Sequence, residues 1–313
     1  MRPTLSIVLF TSLSGAGYGL WFLVGTAVAL DLFPPGRSAL LVPLALGFVL
    51  TSAGLLASVA HLGKPLRAWR ALGQWRSSWL SREGIAALAC VPVVLWLALT
   101  SSRTHDSVST RLGFLVLAIL AALTVLCTAR IYSSLKTIRA WRDARVLPLY
   151  LLYALETGGL CLWALRGRHL PARTHDWRWL VALAVIVVVT TLVQRVYWRA
   201  VERMPQVTTG RATGLDRHGE VRSFEAPATE ENYLLREMGF ALARRHLAAL
   251  RTLTRYLLFL APTLALGATA LAPRAAPWMA ITAAICALLG VFVQRWLFFA
   301  EAKHAVMAYY GRS

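Results

Sequence analysis

Apolar residues along this chain fall into eight blocks, at about 5–30, 39–60, 84–101, 112–130, 148–165, 179–198, 252–272 and 276–299. Each is long enough to cross about 30 Å of hydrocarbon as a helix. The polar stretches between them are short and basic, except for a longer one after the sixth block. Backbone groups cannot stay unpaired in lipid, so the blocks are predicted to be helices. A membrane β-barrel would instead show alternation in segments of about ten residues. Pro43, Pro92 and Pro262 lie inside blocks, where membrane helices tolerate kinks. Only Arg2 precedes the first block and no small-residue cleavage site follows it, so it reads as a retained span and not a signal peptide. The expected fold is an all-α integral membrane protein, a bundle of eight transmembrane helices. It forms one membrane domain over 1–313, with 199–251 as a loop that carries a short helix.

Composition agrees with that class. The chain is 58% hydrophobic with a mean hydropathy of +0.58. The formal net charge is +19. A nucleic-acid binder would gather such charge on one soluble face, whereas here it sits in the connections, so no nucleic-acid partner is expected. With eight spans, 24 lysines and arginines fall on one side and 8 on the other, with Arg255 left inside the seventh block. The basic side is the cytoplasmic one. Both termini, and the loop between helices six and seven, are therefore expected in the cytoplasm, in a multi-pass protein of the inner membrane bathed in lipid.

Cys90, Cys127, Cys161 and Cys286 are scattered one to a block, with no CxxC spacing. Such an array does not read as an iron–sulfur site; buried apolar cysteines are the ordinary case. No metal site is expected in this chain. A b-type haem takes two axial histidines that project inward from spans. His246 and His304 lie outside the blocks, so haem is a minority reading.

The segment His61–Glu83, HLGKPLRAWRALGQWRSSWLSRE, concentrates chemistry. A histidine ends one block and a carboxylate opens the next, which places two proton-exchanging groups at one membrane face. Histidine titrates near neutral pH, and ionisable groups at such depth usually mark function. Arg67, Trp79, Ser81 and Arg82 surround the pair in sequence, and Tyr132 approaches from the neighbouring connection. Pairing of Glu83 with Arg82 or Arg67, and interfacial anchoring by Trp69, Trp75 and Trp79, are the structural alternatives. Glu156 lies about midway along the fifth block, where a bare carboxylate is expensive; it is a candidate for a proton path or for a quiet structural hydrogen bond.

Two short echoes run through the chain: RAWR at Arg67–Arg70 and Arg139–Arg142, and VQR at Val193–Arg195 and Val293–Arg295. Duplication of a helical pair or similar topological duty accounts for either. The long sixth connection mixes acids with its arginines, which suits a protein surface better than a lipid-hugging one. After Pro227, Thr229 is placed to cap a helix whose first turn carries Glu230 and Glu231; Leu234, Met238 and Ala241 line one of its faces.

Three stretches, HLGKPLRAWR…SWLSRE, ARIYSSLKTIRAWR at Ala129–Arg142 and EAPATEENYLLREMGFALARRH at Glu225–His246, resemble the membrane-anchor subunit of dimethyl sulfoxide reductase-type molybdoenzymes. The likeness covers nearly the whole chain. It implies a quinone site (ubiquinone or menaquinone, not covalently held) in this chain, with His61 and Glu83 matching the family's quinone-site pair. It implies partners on the cytoplasmic side: an iron–sulfur subunit and a molybdopterin catalytic subunit, which carry the clusters, the molybdopterin and the substrate chemistry. Within the resemblance, the basic cytoplasmic loops favour the sulfite dehydrogenase branch, which passes electrons from sulfite to quinone. A menaquinol-oxidising anchor of a dimethyl sulfoxide or related reductase is the alternative. A secondary transporter is a third reading, though mirrored Gly/Pro-interrupted segments are not seen.

Overall fold

The computed structural model describes residues 4–33, 37–60, 62–100, 107–169, 177–205, 208–219, 221, 224–225 and 246–310. His61, and with it one half of the expected pair, lies outside the described residues, as does the segment carrying Thr229, Glu230, Glu231, Leu234, Met238 and Ala241.

The apolar blocks fold as α1 (Leu5–Ala29), α2 (Arg37–Ala60), α3 (Trp79–Thr100), α4 (Val108–Ser133), α5 (Val146–His169) and α6 (Trp177–Glu202). After a short α7 (Thr209–Thr213) come α8 (Leu247–Thr254), a π-helical turn (Arg255–Leu260), α9 (Ala261–Leu271) and α10 (Ala276–Ala300). Among the described residues seven helices, α1 to α6 and α10, are long and apolar enough to cross a membrane. Residues 247–271 run as unbroken helix, with the π-turn ending two residues before Pro262. A π-bulge of this kind is where a helix absorbs a missing N–H donor.

α1 and α5 form the centre. In their apolar windows 67% and 72% of residues are buried, against 22% in α6. α1 packs on α2, α4, α5 and α10, and two close approaches rest on glycine. A Cβ at Gly19 would overlap the Ala154 carbonyl, and one at Gly158 would meet the Gly19–Leu20 backbone. Such contacts let membrane helices gain dispersion energy where lipid offers no hydrophobic drive. On α2, Gly47 leaves room for the Trp21 indole, whose Nε1 donates to Leu44 O at 3.2 Å. Outward faces stay apolar, as with Leu95 and Leu99 on α3 and Val181, Val185 and Leu192 on α6. A helix apolar all round suits a lipid surrounding.

The connections after α4 and α6 and the C-terminal tail meet at one end of the bundle. Ile138 bridges His304, and Ala305 N–H donates to Thr137 O at 2.9 Å. Arg139 Nη1 donates to Pro205 O at 3.0 Å, and Thr209 Oγ1 to Ala308 O at 2.9 Å. Arg251 ties the ends of three helices: its Nε and Nη2 reach Glu301 at 3.1 and 3.0 Å, and its Nη1 reaches Glu202. The described parts of these connections are thus fastened to one another and to the helix ends.

Candidate functional site

The stretch that reads as a loop in the sequence is largely helical. Pro65–Gln74 forms a 3₁₀-helix with no buried side chain. Ser78 then offers its hydroxyl to Ser81 N–H at 3.4 Å, where α3 begins. Helix α3 therefore starts five residues before the apolar block, and Glu83 sits a full turn inside it.

That turn buries Ser81 and Glu83, 2% and 3% exposed. Thr128 on α4 donates its hydroxyl to Glu83 Oε1 and also lies 3.0 Å from Thr124 O. Ser81 donates to Ala71 O and holds the 3₁₀-helix over the start of α3. Arg82 does not pair with Glu83. Its Nε and Nη2 donate to Trp75 O and Arg76 O at 2.9 and 2.6 Å, and its guanidinium lies 4.3 Å from the Trp79 ring centroid. The Arg130 guanidinium lies 5.9 Å from the centroid of the same half-buried indole. The basic groups thus cap the chain above the carboxyl without neutralising it. Arg67 is exposed on the 3₁₀-helix.

Tyr132, at the end of α4, belongs to an aromatic cluster. It stacks on Tyr150 at 5.8 Å and meets Trp141, Phe298 and Phe299 edge-on. Trp141 donates Nε1 to Phe298 O at 3.0 Å. The two RAWR copies therefore have different fates: Trp69 is 67% exposed, whereas Trp141 is 4% exposed. The VQR copies also diverge. Gln194 and Gln294 are both buried, but Arg195 faces outward while Arg295 is buried. The Arg295 guanidinium lies 3.4 Å from the Tyr150 ring centroid and 5.1 Å from that of Tyr153.

Glu156, on α5, is fully buried, and neither carboxyl oxygen has a hydrogen bond of ordinary geometry. Thr190 of α6 is its polar neighbour, but the Thr190 proton goes to Ile186 O at 2.7 Å. Tyr153, one turn away, donates to Gln194. Tyr18, Tyr132 and Tyr150 lie within electrostatic reach of Glu83, and Tyr153 within reach of Glu156. Thr128 and Arg295 are the site residues that sequence reasoning missed. Arg295 left a trace, since a Gln–Arg pair inside an apolar block is unusual; Thr128 left none.

The four cysteines lie on four helices, α3, α4, α5 and α10, and are free. Among the described residues no cluster of histidine, cysteine and carboxylate side chains suits a metal.

Apolar helices with lipid-type outer faces, an inner pair of tightly packed helices and a buried carboxyl under a basic cap define a multi-pass membrane protein with a polar site near one end. The model of the family described as DMSO reductase anchor subunit (DmsC) matches residues 1–300. The chain belongs to that family and is a membrane anchor of a molybdoenzyme complex. It is 29% identical to a sulfite dehydrogenase subunit of Allochromatium vinosum over 331 residues, covering 99% of each chain. No solved structure matches the chain.

Proposed function

We propose that this chain is the quinone-binding anchor of a molybdenum and iron–sulfur oxidoreductase, passing electrons between the iron–sulfur subunit and the quinone pool, in cytoplasmic sulfite oxidation. Quinone supplies two-electron chemistry coupled to two protons, so each of its oxygens needs a proton-exchanging group. The observation that carries this reading is Glu83. It is a buried carboxyl with Thr128 on one oxygen, no ion pair among the described residues, and the cationic Arg82–Trp79 cap beside it. Thr128 orients the carboxyl, and the Ser81–Ala71 bond closes the 3₁₀-helix over it. His61 is the second proton-exchanging group. Tyr132 walls the site, Trp79, Ser81 and Arg82 shape its cap, and Arg67 guides the head group from the exposed surface. Glu156 serves a proton path deeper in the bundle.

The unbroken helix over 247–271 supplies the eighth span. With eight spans, the basic end carrying the connections after α2, α4 and α6 faces the cytoplasm, together with both termini, and the protein lies in the inner membrane. The molybdopterin and iron–sulfur subunits dock on that end. Support for the sulfite branch comes from the similarity to the Allochromatium vinosum sulfite dehydrogenase subunit over the whole chain. The family's description favours the second reading, a menaquinol-oxidising reductase anchor; identification of the copurified catalytic subunit separates the two. Family membership leaves the transporter reading without support.

The deciding experiment is Glu83→Gln in the assembled complex. Quinone-coupled activity is expected to vanish while dye-linked activity of the soluble subunits persists. Full quinone turnover in this variant, or loss of both activities with loss of assembly in Glu83→Gln and Glu83→Asp alike, would remove the carboxyl from the redox site.

A further inference from the structure

The 3₁₀-helix Pro65–Gln74 turns once every three residues, so its side chains fall into three straight rows. Leu66, Trp69 and Leu72 make one row, and Trp75 prolongs it with dihedrals of φ −59° and ψ −25°. Arg67, Arg70 and Arg76 make the second row, interrupted by Gly73. The third holds Pro65, Ala68, Ala71 and Gln74. An apolar edge therefore runs beside a cationic one.

The apolar row meets the outward side of α3. Leu72 is half-buried, and a Cβ at Gly84 would lie 3.0 Å from its Cδ2. Gly84 stands between Leu80 and Leu88 at four-residue spacing, which places the three on one helix face. Leu80 and Leu88 are exposed, so in a membrane-spanning helix that face looks onto lipid. Leu66, Trp69 and Trp75 share the row of Leu72 and are exposed as well. The cations border them: Arg70 lies 5.6 Å from the Trp69 ring centroid and Arg76 5.4 Å from that of Trp75. From Leu32 to Arg82 the chain has no acid, whereas Lys64, Arg67, Arg70, Arg76 and Arg82 crowd the stretch after Leu62. Acid-free basic segments beside a span suit an anionic lipid surface; the mixed charge of the sixth connection suits a protein.

We infer that Pro65–Trp75 lies in the plane of the bilayer interface and binds anionic phospholipid. Leu66, Trp69 and Trp75 enter the acyl-chain boundary beside α3. Arg70 and Arg76 hold the phosphate of a phosphatidylglycerol-type head group at the level of the indoles. Tryptophan favours that depth, guanidinium groups take phosphate in a two-pronged contact, and basic amphipathic helices lie on membranes in this way. The Ser81 bond to Ala71 O and the approach of Leu72 to Gly84 fix the element to the first turns of α3. The fold thus presets the lipid site. It rests on the spans and on the three rows, and it holds whether or not Glu83 serves quinone.

Native mass spectrometry of the purified complex reads the binding, with phosphatidylglycerol and phosphatidylcholine of equal chain length added in turn. The complex is expected to retain phosphatidylglycerol at least about tenfold more strongly, and Arg70→Gln with Arg76→Gln to abolish that preference. Arg70→Lys with Arg76→Lys should keep most of it, because the charge remains. Depth is read separately, by a nitroxide on Leu66→Cys or on Gly73→Cys, each in a Cys286→Ser background because the other three cysteines are buried. A Cβ at Gly73 meets nothing within 4 Å, so both labels are accommodated. In phosphatidylglycerol vesicles the label at position 66 is expected to collide with dissolved oxygen, and that at position 73 with a water-soluble nickel chelate. Equal retention of the two lipids by wild type, an unchanged preference in the glutamine variant, or equal nickel access at both labels overturns the inference. Loss of the iron–sulfur subunit from the glutamine variant with its lipid preference intact assigns the cationic row to an acidic protein surface, and overturns it too.

Discussion

Thr128 on α4 gives its hydroxyl proton to Glu83 on α3, across 45 residues of sequence. The bond fastens two neighbouring helices at the depth where the carboxyl is buried. It also fixes which oxygen of Glu83 is occupied and which remains for another partner. A hydrogen bond to a charged group contributes about 1.5–3 kcal/mol. Thr128→Val is therefore expected to lower quinone-coupled turnover about tenfold or more, and Thr128→Ser to restore it. Assay of quinone-linked against dye-linked activity checks this. Equal losses in the valine and serine variants would mean that the methyl packing matters and the hydroxyl does not.

The Arg251 cluster fastens the ends of α6, α8 and α10. Its side chain is 8% exposed and Glu301 12%, whereas Glu202 is 57% exposed. The Glu301 arm is thus the one that matters, since an exposed pair contributes about 0–1 kcal/mol. Removing one partner of a buried pair costs about 3–5 kcal/mol. Arg251→Ala and Glu301→Ala are each expected to lower the thermal midpoint in detergent clearly, Glu202→Ala only slightly. Arg251→Lys should rescue poorly, because lysine cannot reproduce the two-pronged contact with Glu301.

The two RAWR tryptophans provide a matched comparison. Trp141 is buried among Tyr132, Phe298 and Phe299, so Trp141→Ala is expected to cost about 3–5 kcal/mol. Trp69→Ala, on the exposed 3₁₀-helix, should stay within about 0.5 kcal/mol. Denaturation of both variants in the same detergent measures the contrast; equal midpoints would contradict the burial difference.

His304 lies beyond α10, where partial burial lowers its pKa from 6.5. Its Nδ1 accepts Val306 N–H at 3.1 Å, which requires the neutral ring. A folded-state pKa below the unfolded one means that this contribution is present above pH 6.5 and is lost as pH falls through the lowered value. Limited proteolysis of the C-terminal turn is expected to quicken on acidification, and His304→Gln should flatten that dependence. A wild-type cleavage rate constant from pH 7.5 down to about 5 would refute the linkage.

Length and hydropathy of the apolar blocks, with the unequal distribution of lysine and arginine, were readable residue by residue, because membrane insertion responds to local composition. The same local reasoning singled out Glu83 and Glu156, since a carboxylate beside or inside an apolar block stands out whatever surrounds it. Helix rotation and helix contact decided the rest. Which face of α3 meets α4 gave Glu83 its threonine, and the turn before α3 drew Arg82 to backbone carbonyls instead of to the acid. Two identical tetrapeptides became a surface tryptophan and a core tryptophan, and two identical tripeptides an outward and a buried arginine, because a side chain's partners depend on the elements packed against it and not on its neighbours in sequence.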